Sequence, residues 1–176
     1  MSNDAKRTED KTLILEEYQA LRNEILKRLE FRYQLINIIV VVSGTFLSVG
    51  IQPNVPTSVL LVYPILALFL ISGWVYNGVI LTQIGKYIRE NIEINIVEFK
   101  WESYLKERKT KLNFSNPFGF LGILSTSGLA LTTQFLAVGI ALLKFKFIPT
   151  DIVLLICSFV AIILTLIIIL RYNSLS

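Results

Sequence analysis

The chain has no histidine, a single cysteine (Cys157) and a single methionine among its 176 residues. Without imidazole it lacks the commonest general base, the commonest zinc ligand and the usual proton switch near neutral pH. One thiol can form neither an intramolecular disulfide nor a thiolate metal cluster. Glycine and proline are absent between Met1 and Gly44, so nothing there breaks a helix. Charge is also missing over long stretches. Tyr33–Gly85, Leu112–Leu143 and Ile152–Leu170 contain no Asp, Glu, Lys or Arg.

A bilayer core takes about 20 apolar residues per helix at about 1.5 Å each. The first run is long enough for two crossings, and Gln52-Pro53-Asn54-Val55-Pro56-Thr57-Ser58 in its middle supplies the turn. Proline interrupts helical hydrogen bonding, and the freed backbone groups need water. Together with a hydrophobic fraction of 53%, these runs predict an all-α integral membrane protein. Four transmembrane helices are expected, roughly 33–51, 58–80, 117–143 and 152–170. The predicted organisation is an N-terminal helix (1–32), a transmembrane hairpin (33–80), a helical loop (81–116), a second hairpin (117–170) and a tail (171–176).

Orientation follows from the basic residues. Seven Lys and Arg precede the first span, seven lie between the second and third, and Arg171 follows the fourth. The opposite side has only Lys144 and Lys146. By the positive-inside rule both termini and the middle loop are cytoplasmic. The polar, charged start does not have the layout of a cleaved signal peptide.

In the cytoplasmic part, Ile14, Tyr18, Leu21, Ile25, Arg28 and Arg32 recur at alternating steps of four and three. This is the seam of a helix pairing with a copy or a neighbour. The helix either projects as a stalk, on the order of 30 Å below the membrane, or lies on the inner leaflet. Ile84, Ile88 and Ile92 extend the second span past the membrane, with Gly85 a candidate kink. A short amphipathic helix at 98–106 carries Trp101 and Tyr104, which suit the headgroup level or packing on the N-terminal helix. Asn116-Pro117 is a cap and first-turn proline that opens the third span.

The third span is the most polar. Ser125-Thr126-Ser127 and Thr132-Thr133-Gln134 stand seven residues apart on one broad face. A stripe of small residues (Gly122, Thr126, Ala130, Thr133, Ala137, Ala141) favours close helix contact. Ser43 and Thr45 lie at similar depth in the first span, and Ser72, Tyr76, Asn77 and Gln83 form a patch on the second. The fourth span, with Cys157, Ser158 and Thr165 among branched aliphatics, is expected to face lipid. The hydroxyls either bond back to the preceding turn and pack, or line a water-filled path when copies assemble. The candidate pore-lining residues are Ser43, Thr45, Ser125, Thr126, Thr132, Thr133 and Gln134. No ionisable side chain lies within a span, which disfavours proton relays, coupled transporters and voltage sensors. An intramembrane enzyme would need a nucleophile–base pair or metal ligands. No catalytic residue, metal site or cofactor is expected.

Glu17-Tyr18-Gln19-Ala20-Leu21-Arg22-Asn23-Glu24-Ile25, Arg28, Arg32-Tyr33-Gln34, Ile84-Gly85-Lys86-Tyr87-Ile88-Arg89 and Trp101-Glu102-Ser103-Tyr104-Leu105 cover about a fifth of the chain. In these segments the sequence resembles small bacterial four-span membrane effectors of anti-phage defence, such as the Hailong-type channel effector. The resemblance implies a homo-oligomeric channel of the bacterial inner membrane, controlled by an anionic nucleotide or oligonucleotide in the cytosol. Arg22, Arg28, Arg32, Lys86 and Arg89 are the candidate phosphate contacts, since arginine suits bidentate phosphate recognition. Anchoring on anionic lipid is the other reading, above all for Arg32 and Lys86. The alternative function is a non-conducting scaffold or accessory subunit that presents cytoplasmic helices to a partner protein.

Overall fold

The computed structural model describes residues 3–94, 100–111, 127–145 and 148–175, and every regular element in them is helical. Helix α1 spans Asn3–Gly50 as one unbroken rod of 48 residues, about 72 Å long at the standard rise. Helix α2 covers Thr57–Tyr87 and runs on into a π-turn at Ile88–Ile92. Helix α3 is Trp101–Lys111, α4 is Leu129–Leu143 and α5 is Pro149–Leu175. Among the described residues three stretches are long and apolar enough to cross a membrane: Lys11–Gly50, Thr57–Ile92 and Pro149–Tyr172. Helix α4 is apolar but shorter, at 15 residues, and positions 117–126 of the expected third span lie outside the described residues.

The bundle is built around α2, which packs on α5, α1 and α4. Its contacts are made by small or tightly enclosed side chains. Ala67, Ala137 and Ala141 are fully buried with Leu60, Leu61 and Tyr63 in one cluster, and Ile39, Ile71, Ala130 and Ile169 form a second. Of the small stripe expected on the third span, Gly122 and Thr126 lie outside the described residues, and Ala130, Thr133, Ala137 and Ala141 face α2, where the lack of bulk lets the backbones approach. The opposite side of α4 is exposed and mostly apolar, with Phe135, Leu136, Leu142 and Leu143 pointing outward. Helix α5 exposes Val153, Ile156, Val160, Ile163, Ile167 and Leu170, the aliphatic wall expected of it. It also buries Ser158 and Thr165 completely against the bundle.

A separate core lies beyond the bundle at the basic end. Ile84, Ile88 and Ile92 pack against Ile14, Tyr18, Leu21 and Ile25 of α1. The seam of α1 thus pairs with the extension of α2 in the same chain. Gly85 does not kink the helix. The irregularity comes three residues later, where the Glu93 amide donates to the Ile88 carbonyl at 2.9 Å. Gly85 instead makes room for α3, because a Cβ there would stand 2.9 Å from the Glu102 carboxylate.

The opposite end is closed by Lys144. Its ammonium donates to the Gly50, Gln52 and Val55 carbonyls at 2.8, 2.6 and 3.2 Å. Those carbonyls belong to the C-terminus of α1 and the turn that follows, where a cation is favourable. The Thr57 hydroxyl returns a bond to the Lys144 carbonyl at 3.1 Å. One of the two lysines that depart from the positive-inside pattern is therefore a structural clamp. Gly50 lets the turn close, since a Cβ at that position would fall 2.2 Å from the buried Leu60 side chain.

Candidate functional site

Three of the pore-lining candidates point into the helical bundle. The Tyr63 hydroxyl of α2 lies 2.6 Å from the Thr133 hydroxyl of α4. The Thr133 hydroxyl is also within reach of the Leu129 and Ala130 carbonyls at 2.9 and 3.1 Å. Ser43 of α1 sits beside the same phenol and donates to the Val40 carbonyl at 2.9 Å. Hydroxyls from α1, α2 and α4 therefore meet at one point and bind those helices together.

Gln134 is fully buried and donates its amide to Thr165 of α5 at 3.3 Å. Its carbonyl oxygen has no partner among the described residues. Ser158 reaches the Leu61 carbonyl of α2 at 2.6 Å as well as its own Leu154 carbonyl at 2.7 Å. Each contact joins two helices through a polar pair, as expected where apolar burial adds little.

Thr45 and Thr132 face outward. Their hydroxyls also bond back to the preceding turn, Thr45 to Val41 at 2.8 Å and Thr132 to Gly128 at 2.8 Å. Ser125 and Thr126 lie outside the described residues. The hydroxyl bands of the first and third spans are thus divided between an internal cluster and an outer surface.

A polar feature that spacing alone did not single out is on the outside of α1. Gln34, Asn37, Val41, Gly44 and Ser48 are all exposed and recur at steps of three and four, so they form one line along the helix. Thr45 lies beside it. The line continues toward the N-terminus through Glu30, Lys27, Asn23 and Ala20, all exposed as well. A Cβ at Gly44 would meet nothing within 4 Å, and a groove of about 220 Å³ runs past Asn37, Ile38, Val41 and Val42. The heptad steps were there to be read, but strong aliphatics between them (Leu35, Ile36, Ile38, Ile39, Val40) mask the pattern.

The basic candidates divide by their partners. Arg22 Nη1 is bonded to Glu102 at 2.9 Å, which ties α3 to α1. Arg28 pairs with Glu24 at 2.6 Å and reaches Asn77 at 3.3 Å. Arg89 lies 3.7 Å from Glu90, and Lys86 is exposed. Arg32 stacks over Trp74, its guanidinium carbon 4.1 Å from the ring centroid. The nearly buried Glu93 accepts from the backbone amides of Glu102 and Ser103 at 2.6 and 3.0 Å, and from the Ser103 hydroxyl. Placing a carboxylate on the first amides of α3 satisfies donors that have no helical partner and favours the negative charge.

Tyr87 donates to Glu17 at 2.7 Å, and the carboxylate beside it holds its phenol above the ordinary tyrosine range. Trp101 and Tyr104 remain about half exposed, side by side at 6.1 Å. Among the described residues no group of acidic or thiol side chains is placed to hold a metal ion. No family model, curated protein or solved structure matches the chain.

Proposed function

We propose that the chain is a homo-oligomeric channel of the bacterial inner membrane. It would cross four times, keep both termini in the cytosol and act as a depolarising effector, as the resemblance to anti-phage membrane effectors implies. The observation that supports this reading is the exposed line Gln34–Asn37–Val41–Gly44–Ser48 on α1. An amide facing acyl chains without a hydrogen-bond partner is costly. Copies arranged with these faces toward a common axis would surround them with water and with one another. Rings of uncharged dipoles of this kind are one way to build a conducting path. Thr45 and Thr132 lie on outer surfaces and are available to such a path, whereas Ser43, Thr133 and Gln134 hold the protomer together.

Control from the cytosolic side follows from the ion pairs. An anionic nucleotide or oligonucleotide that drew Arg22 from Glu102 would loosen α3 from α1. Gating then requires the ligand to bind one arrangement better than the other.

Purified protein in planar bilayers is expected to pass unitary currents. Replacing Asn37 and Ser48 together by leucine should lower the conductance at least about tenfold by dewetting the path. Silent bilayers containing assembled oligomer would overturn the channel reading. The exposed pair Trp101 and Tyr104 favours the second reading, a non-conducting scaffold that docks a partner on α3. A scaffold would leave membrane potential intact when expressed alone.

A further inference from the structure

At the basic end of the bundle three helices bring together Arg28 and Arg32 of α1, Trp74, Asn77 and Gly78 of α2, and Tyr172 of α5. Tyr172 packs over Gly78, where a Cβ would stand 2.5 Å from its hydroxyl oxygen. It meets Trp74 edge to face, with centroids 5.6 Å apart. Arg32 lies against this pair, 4.1 Å from the Trp74 centroid and 5.9 Å from that of Tyr172.

Arg32 differs from Arg22, Arg28 and Arg89 in what its donors do. Arg22, Arg28 and Arg89 each have a carboxylate. Among the described residues Arg32 has neither a carboxylate nor a hydrogen-bond acceptor, and its Nε is enclosed without a partner. A guanidinium carries five N–H donors in a rigid fork. The contact with the indole face holds the guanidinium in place but satisfies none of the donors. The residue is only partly buried, so its terminal amines are the route to an outside acceptor.

We infer that Arg32, held against Trp74 and Tyr172, is a binding site for a phosphate group, with an anionic lipid headgroup as the expected source. A phosphate oxygen pair matches the guanidinium fork in a way that a single water does not. The level of the site also fits. Arg32 borders the uncharged run of α1 and the two aromatics lie beside it, the composition of a membrane–water boundary. The assignment does not depend on whether the protein conducts.

The test uses the full chain in detergent on a Trp101→Phe background, which leaves Trp74 as the single indole and places the reporter in the site. Short-chain phosphatidylglycerol, diacylglycerol of the same chain length and inorganic phosphate are titrated separately. A saturable change in Trp74 emission is expected with phosphatidylglycerol and none with diacylglycerol. Saturation by inorganic phosphate alone would assign the site to a soluble phosphate in place of a lipid.

The affinity should fall at least about tenfold in Arg32→Gln and about threefold in Arg32→Lys, which keeps the charge but loses the fork. Titrations unchanged in Arg32→Gln, or an equal response to diacylglycerol, overturn the proposal. If Arg32→Gln does not fold, Arg32→Lys decides, and unchanged affinity in that variant is equally fatal.

Discussion

The apolar bundle and the coil at its basic end share two helices, α1 and α2, yet they are held together by different means. In the coil, α1 and α2 meet through Ile14, Ile25, Ile84, Ile88 and Ile92, flanked by the Arg22–Glu102 ion pair and the Glu93 cap. This is how helices associate in water, where removing aliphatic surface from solvent drives the contact. In the bundle the same α2 meets α4 through Ala137, Ala141 and the Tyr63–Thr133 bond. Acyl chains are as apolar as leucine, so close backbone approach and polar pairs carry that contact. The boundary between the two interiors falls near Arg32 and Trp74. On the proposed topology it is where the surroundings change from lipid to water along continuous helices.

The largest effect is expected from Ile88→Ala. Ile88 is fully buried in the coil, and its truncation should lose both the transfer term and the cavity term, about 2–5 kcal/mol. Local unfolding of α1–α2 at the basic end, measured by hydrogen exchange, reports it. Ile71→Ala is the matched change in the bundle, also at a fully buried isoleucine. Lipid is no better a competitor than the protein interior, so most of the transfer term drops out and the cost should fall toward the low end of that range. Equal losses at the two positions would remove the basis for assigning the two halves to different solvents.

Thr133→Val removes the Tyr63–Thr133 bond, and a double-mutant cycle with Tyr63→Phe should give a coupling of about 0.6 kcal/mol. The smallest effect belongs to Arg22→Gln. That pair is partly exposed, with 34% and 13% of the two side chains accessible. A coupling below about 1 kcal/mol that fades with added salt is expected. A salt-independent coupling would place the pair out of water.

Much of this architecture is legible from the chain itself. The uncharged runs announce the long apolar helices, the absence of breakers before Gly44 announces one continuous rod, and the alternating steps from Ile14 to Ile25 announce a packed seam. Partner choice is not legible in that way. Nothing local says that the seam is covered by Ile84, Ile88 and Ile92 of the same chain. Nor does spacing distinguish Thr133, which meets Tyr63, from Thr132, which faces out. One residue turns a helical side chain by about 100°, and only the neighbouring helix decides which of the two it meets.

Composition and period thus determined which segments are helical, which lengths suit a bilayer and which face of α1 is a seam, because these depend on each residue's own solvation and on fixed helical geometry. The tertiary structure decided what each polar group is for. Lys144 closes the end of α1, Ser43 and Thr133 converge on Tyr63, and Arg32 lies over Trp74 with no acceptor among the described residues. Hydrogen bonds and ion pairs depend on distances between residues far apart in the chain, and those distances exist only once the helices have packed.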